Sequence, residues 1–472
     1  MLGKKVKSEN KIALVRPNVP PDFPLGRLRP TVPLGLLVVA GSLRQAGFTV
    51  TIIDDQLEEK GAEWVATEVR RTGASLAGVT VNLATVQTAA EICDCLQKAG
   101  ISTFIGGPEV TANPEAALEA TGAPFAVCGE GEETTVEFLQ AFLRRQDLAS
   151  VQGLAFRGPE GHACRMNERR PWIDLDTLPL LPYDLLPLER YDRSYSEFKA
   201  GRVEVLNTSR GCPFQCTFCS NKFVWSRQYR TMSPPQMLRH VRHALESTDA
   251  TGIYFREDHF TLNQTRVLEF CDLILEEGVQ FEWGCESRVD HLTPALVQKM
   301  HQAGLRSIWF GIESGSDEVL KRLKKGITVA QIEEATRICR EAGIKVGFSV
   351  MLGIPGETRA DLRKTTDLVF SLKPDWVYFA AFLGLPGSEL YAYLEKNPHL
   401  IFRRWHSLIL PHCDYLSYPE KLRLKQKLEL QFNLQPHILL GHMRRMGLRR
   451  FAGKVLLNSL RILRTRFNPL NR

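Results

Sequence analysis

Residues 210–220, "RGCPFQCTFCS", bring Cys212, Cys216 and Cys219 within eleven positions. The loop follows "VEVLNTS" at 203–209, a β-branched run that reads as a buried strand, and precedes the amphipathic "SPPQMLRHVRHALES". This strand–loop–helix unit recurs. Further strands are predicted at "GIYFRED", "FEWGCESRVD", "SIWFGIESG", "KVGFSVMLG" and "WVYFAAFLG", and helical stretches such as "QTRVLEFCDLILEEG" and "TPALVQKMHQAG" follow them. Six such units are too few for a closed eight-stranded barrel of about 250 residues. An open, partial (β/α)6 barrel is expected over 199–400. Parallel barrels do their chemistry at the carboxyl ends of their strands, where the cysteine loop begins.

Upstream, "KIALVRP", "FTVTIID", "LAGVTVN", "STFIGGP" and "FAVCGEG" alternate with helical patterns such as "PLGLLVVAGSLRQAG". That alternation predicts a doubly wound α/β domain over 1–155, with ligands at the carboxyl ends of its strands. The Pro-rich "LDTLPLLPYDLLPLERYD" suggests a semi-rigid linker over 156–198. The remainder, 401–472, reads as a basic helical extension from about Arg403. In "RRFAGKVLLNSLRILRTRF", Arg450, Lys454, Arg461 and Arg464 share one wedge at 100° per residue. Phe451, Val455, Leu456, Ile462 and Leu463 face away from them, and Leu457 is the exception.

Composition is that of an ordinary globular chain, with 44% hydrophobic and 24% charged residues among 472. No apolar run reaches membrane-spanning length, and the opening "MLGKKVKSENKIALV" has no signal-peptide pattern. A cytoplasmic, reducing setting is expected, in which clustered cysteines serve metals or redox chemistry. The net charge of +7 is uneven: residues 421–472 hold 13 Lys or Arg against Glu429, which leaves −5 for the rest. The basicity belongs to the tail and is not a nucleic-acid signature of the whole.

Three thiolates in one short loop are one too few for a structural zinc site, and the next cysteine, Cys271, is 52 positions on. They suit a 4Fe–4S cluster with one iron left open, since four would saturate it. Cys93 and Cys95 lie in an amphipathic helix and read as core or incidental. Cys413 stands alone in the tail, where a quenching or redox role is the alternative to an incidental thiol.

The C-x3-C-x2-C spacing, with Phe218 before the last cysteine and a strand before the first, resembles the radical S-adenosylmethionine (SAM) superfamily. The resemblance implies that the open iron holds the amino and carboxylate groups of SAM, and that one electron cleaves it to a 5′-deoxyadenosyl radical. "YFREDHF" is similar to the family's acidic second-strand segment, which makes Glu257 and Asp258 candidates for the SAM ammonium. Ser287 and Arg288 in "CESRVD" are candidates at the third strand, the arginine able to grip a carboxylate bidentately. Glu313 and Ser314 in "GIESG" are candidates for ribose or methionine contacts. Gly353 and Gly356 in "MLGIPGET" would lie beside adenine. A strand-end acid is also a common helix cap, so each motif draws its weight from the series.

The first domain, through "IGGPEVTANPEAALEATGAPFAVCGEGEET", resembles the cobalamin-binding domain that precedes many radical SAM barrels. Gly106, Gly107, Gly129 and Gly131 would let the corrin lie against backbone; the alternative is that they only form turns. Many such domains carry D-x-H-x-x-G, whose histidine ligates cobalt. Here no histidine precedes His162, so cobalamin is expected without a protein histidine below it. That suits reduction to Co(I) and methyl capture from SAM, and equally suits a domain that has lost the cofactor.

The expectation is a cobalamin-dependent radical SAM methyltransferase acting on an unactivated carbon. The alternatives are cyclisation, rearrangement or oxidation without methyl transfer, and a non-catalytic cobalamin and cluster sensor. An external donor such as flavodoxin or ferredoxin would supply electrons. The basic tail suggests a membrane surface and a lipid-like substrate, against the alternative that its apolar face packs on the barrel. No nucleic-acid partner is expected.

Overall fold

A computed structural model describes residues 10–439 apart from 25, 27–29, 158–163, 196–197 and 199–200. Strands β1 (Lys11–Arg16), β2 (Thr49–Asp54), β3 (Leu76–Thr80), β4 (Ser102–Gly106) and β5 (Phe125–Val127) are parallel, in the order β2-β1-β3-β4-β5. Side chains alternate across this sheet. Ile12 and Leu14 pack under helices α1 (Leu34–Gln45) and α5 (Gly131–Leu143). Ala13 and Val15 pack under α2 (Ala62–Thr72), α3 (Val86–Lys98) and α4 (Pro114–Thr121). The strand order reverses between β1 and β3, which opens a crevice at their carboxyl ends.

The sheet does not stop at the fifth strand. Antiparallel β6 (Leu154–Arg157) and β7 (Cys164–Met166) extend it to seven strands. Part of the segment expected to be linker thus belongs to the first sheet. The Pro-rich stretch is not a free spacer either: Leu175, Leu178, Leu181, Tyr183, Leu186 and Tyr191 are buried in the core of the second unit. Periodicity missed this because short prolines and leucines without a repeat read as a connector.

The second unit is a six-stranded parallel sheet in the order β15-β14-β13-β12-β11-β8. Its strands are β8 (Arg202–Leu206), β11 (Ala250–Phe255), β12 (Glu282–Ser287), β13 (Leu305–Glu313), β14 (Lys345–Leu352) and β15 (Trp376–Ala381). Each βα unit adds one strand beside the last, giving the expected half-barrel. Helices α6 (Pro234–Ser247), α7 (Gln264–Glu276), α8 (Pro294–Gln302), α9 (Val329–Glu341) and α10 (Arg359–Leu372) cover its outside. A two-stranded ribbon, β9 (Ser209–Arg210) with β10 (Arg230–Thr231), brackets the cysteine loop.

The tail is helical only in part. Strands β16 (Ile401–Trp405) and β17 (Leu408–Pro411) form a hairpin where helix was expected, followed by helix α11 (Tyr418–Asn433). Trp405, Leu408, Leu410 and Tyr418 pack with Val19, Phe23 and Ala84 of the first domain. Ser407 Oγ donates to Glu109 Oε1 at 3.0 Å. The tail's wedge of cations at 450–464 lies outside the described residues. No helix among the described residues is long and apolar enough to cross a membrane.

Candidate functional site

The cysteine loop leaves the carboxyl end of the first barrel strand through β9. Gly211 has φ +86°, and a Cβ there would lie 2.0 Å from the Gln228 carbonyl oxygen, so only glycine admits the turn. Cys212, Cys216 and Cys219 are free thiols, none fully buried. Burial pushes Cys212 up to about 11 and raises Cys219. Backbone N–H groups soften that cost: Asn221 donates to Cys219 Sγ at 3.4 Å, and Phe214 donates to Cys212. Sulfurs on one short loop with amide donors aimed at them fit an iron–sulfur cluster, whose positive metal would hold all three as thiolates. Phe218 packs against the cluster of Val319, Leu323 and Ile354, its ring 5.8 Å from Lys325 Nζ.

The residues expected beside the cluster have distinct surroundings. Glu257 is buried and turned back on the first strand. It accepts from Thr208 N at 2.7 Å, from Thr208 Oγ1 at 2.5 Å and from Ser209 Oγ, with Arg266 Nη1 at 3.7 Å. Asp258 points toward the loop and accepts from Asn221 Nδ2 at 2.7 Å. Of the two acids, Asp258 is the one near the cysteines.

At the third strand, Arg288 makes its bidentate grip on Asp290, through Nε at 3.0 Å and Nη2 at 2.8 Å. Its guanidinium lies 3.7 Å from the ring centre of Phe214, within the cysteine loop. Its buried Nη1 has no partner among the described residues. Ser287 bonds Thr261 Oγ1 at 2.5 Å and His259 Nδ1 at 3.2 Å. His259, Asp290 and His291 bring one ligand atom each within 4.8 Å of one another. Because Arg288 occupies both Asp290 oxygens, this cluster is already charge-balanced.

At the fourth strand, Glu313 is a non-glycine residue at φ +62° and accepts from Lys325 Nζ at 3.0 Å. Ser314 is fully buried, bonded to Thr365 Oγ1 at 3.0 Å. Gly353 has φ +71°, yet its bare face is filled by the stem of Lys421 from α11, 2.4 Å from where a Cβ would stand. Lys421 Nζ donates to the Gly353 oxygen at 2.5 Å. The close approach that Gly353 permits is used by the protein's own C-terminal helix.

The four glycines of the first domain all line one cleft between the domains. Gly107, at φ +116°, has Val81 O 2.6 Å from its Cβ position, and Gly129, at φ +81°, has open space there. Leu34, Gly35, Val38, Val39 and Phe104 make the apolar floor, with Leu206, Asn207, Arg210, Trp225 and His240 across from it. A broad, mostly apolar cleft at a topological switch point, with glycine backbone at its rim, fits a corrin and its nucleotide tail. His240 is a barrel residue on α6. Burial holds it down to about 4, and its Nε2 has no partner among the described residues.

Sequence reasoning missed the residues that join the two halves. Arg210 Nη1 reaches Glu130 Oε1 at 2.6 Å and its Nη2 reaches Glu132 Oε1 at 2.5 Å. Arg230 Nη2 adds a second contact to Glu130 at 2.8 Å. Burial alone would raise Glu130, but Arg230 and Arg210 together outweigh it and hold the carboxyl below its usual range. The available signal was local: two acids at the start of α5, set between and beside the expected cleft glycines, where a helix N-terminus favours negative charge.

The chain matches the model of the Radical SAM superfamily over residues 206–369 and that of the B12 binding domain over 28–139. It carries a radical SAM domain and a B12-binding domain. The B12 binding domain match falls on the doubly wound domain, and the Radical SAM match on the half-barrel. The chain is 29% identical to "Uncharacterized methyltransferase PH0819" of Pyrococcus horikoshii, over 91% of this chain and 94% of that one. It is 24% identical to the anaerobic magnesium-protoporphyrin IX monomethyl ester cyclase of Rubrivivax gelatinosus, over 80% of this chain and 69% of that one. Among solved structures, its fold is similar to that of the cobalamin-dependent S-adenosylmethionine radical enzyme OxsB with aqua-cobalamin and SAM bound. The TM-score is 0.76 at 18% identity, over 97% of this chain and 71% of that one.

Proposed function

We propose that this radical SAM enzyme is cobalamin-dependent and methylates an unactivated carbon. One observation carries the reading: the three-cysteine loop leaves a strand end that also walls the inter-domain cleft, through Leu206, Asn207 and Arg210. When bound, the cluster would supply the electron that opens SAM, and the corrin would carry the methyl group. Cys212, Cys216 and Cys219 would hold three irons, and Asp258 would accept the SAM ammonium. Glu257 acts through the strand: it fixes Thr208 and Ser209, and so the take-off of the loop. Gly106, Gly107, Gly129 and Gly131 would bring backbone against the corrin, whose lower face would receive no histidine from the first domain. Kinship with a methyltransferase over nearly the whole length of both chains supports methyl transfer. The supporting sign would be S-adenosylhomocysteine and 5′-deoxyadenosine formed together by anaerobically reconstituted enzyme. With a productive substrate, 5′-deoxyadenosine alone would defeat it.

Kinship with the cyclase favours a second reading, ring formation without methyl transfer. An unmethylated, ring-closed product would decide for it. Electrons would come from an external donor of the flavodoxin or ferredoxin class. A lipophilic substrate and contact with a membrane surface rest on the tail's charge pattern alone. Liposome binding that survives deletion of residues 448–472 would remove that ground.

A further inference from the structure

Two cavities share one wall. The inter-domain cleft and a smaller pocket at the carboxyl ends of β8, β11 and β12 are lined in common by Asn207, Arg210 and Trp225. The smaller pocket also holds Glu257, Asp258 and Glu286, so it lies on the cluster side of that wall. Trp225 ends a short helix, Asn221–Trp225, directly after the cysteine loop. The next residue, Ser226, turns at φ +56°, and the helix packs against residues 108–112 of the first domain.

The indole is held by groups whose own positions are set elsewhere. The Arg210 guanidinium stands 5.2 Å from its ring centre, and Trp172 lies 6.4 Å away on a tilted contact. Arg210 is in turn fixed by Glu130 and Glu132 across the domain boundary. Trp172 is bracketed by Arg169 at 4.2 Å and Arg230 at 4.8 Å. A flat guanidinium pinned at both ends presents one face to the ring and leaves it little freedom. Trp225 itself is only half-buried, so it has somewhere to go.

We propose that Arg210 is a positioning residue that holds Trp225 as a partition between the two cavities, and that the indole must move before groups held on either side can meet. This rests on the reading of the cleft as the corrin site and of the smaller pocket as the SAM and substrate side. The separation has a chemical purpose. A carbon radical formed beside a reactive metal-bound methyl, with no substrate between them, would be spent unproductively.

The test uses the full chain loaded anaerobically with cob(II)alamin, its cluster oxidised, with electron paramagnetic resonance of the cobalt recorded with and without SAM. In the unaltered chain SAM is expected to leave the cobalt signal unchanged. In Trp225→Ala it shifts the signal, and Trp225→Phe restores the insensitivity. Arg210→Lys keeps the charge opposite Glu130 and Glu132 but loses the flat face, so it shifts like Trp225→Ala while folding normally. A signal that moves with SAM in the unaltered chain would overturn the partition. So would a Trp225→Ala or Arg210→Lys signal as still as the unaltered one. Failure of the chain to bind any corrin would overturn the underlying reading and the partition together, whereas bound corrin with unresponsive variants overturns the partition alone.

Discussion

Glu130 and Arg210 meet at 2.6 Å, both nearly out of water, one from each domain. Arg210 is two residues before Cys212, and Glu130 lies between two of the cleft glycines. One ion pair therefore ties the rim of the cleft to the root of the cysteine loop.

Breaking that pair from one side strands a buried charge. Arg210→Met leaves buried Glu132 without its partner and Glu130 with Arg230 alone, and is expected to cost about 3–5 kcal/mol. Glu133→Gln, which removes a half-exposed partner of Arg170, should cost no more than about 1 kcal/mol. Urea unfolding of the full chain compares the two, and equal losses would refute the buried pair's role.

Alanine at any one of Cys212, Cys216 and Cys219 should abolish SAM cleavage and sharply lower bound iron and sulfide. Cys95→Ser, on a half-buried thiol of α3, should leave the iron content unchanged. Iron and sulfide analysis after anaerobic reconstitution reads both.

Gly107→Ala places a methyl 2.6 Å from Val81 O at φ +116°. Such backbone strain costs of the order of 1–3 kcal/mol. Weaker corrin binding together with a lower melting temperature is expected, and unchanged values of both would show that the glycine is dispensable.

Acid should weaken the fold through His240. Its folded pKa is about 4, against 6.5 for the free side chain, so the folded state resists protonation. The stability is present above pH 6.5 and drains away as pH falls toward 4. The full loss is about 3 kcal/mol, at 1.36 kcal/mol for each pKa unit. His240→Leu should flatten that part of the stability–pH curve, and an unaltered slope would exclude His240 as its source.

The half-barrel was legible because each βα unit announces itself by a short apolar run and a 3.6-residue repeat. The cysteine loop was legible because its chemistry sits in eleven consecutive positions. What stayed hidden involves partners far apart in the chain. Glu257 looked free at a strand end, but Thr208 and Ser209, 49 and 48 positions away, take its oxygens. Gly353 looked open until Lys421 arrived from 68 positions downstream. The 401–411 hairpin escaped because it turns on His406 at φ +48°, not on Asn-Gly, and its arginines and leucines mimic a helical repeat.

The hairpin's grip on the first domain orders events in synthesis. Phe23 meets Trp405 edge-on at 6.1 Å, so an apolar surface synthesised with Phe23 waits for a partner made 382 positions later. At about 5–20 residues per second, that delay is roughly 20–80 s. During it the first domain carries a bare apolar strip, open to unproductive association until the hairpin covers it.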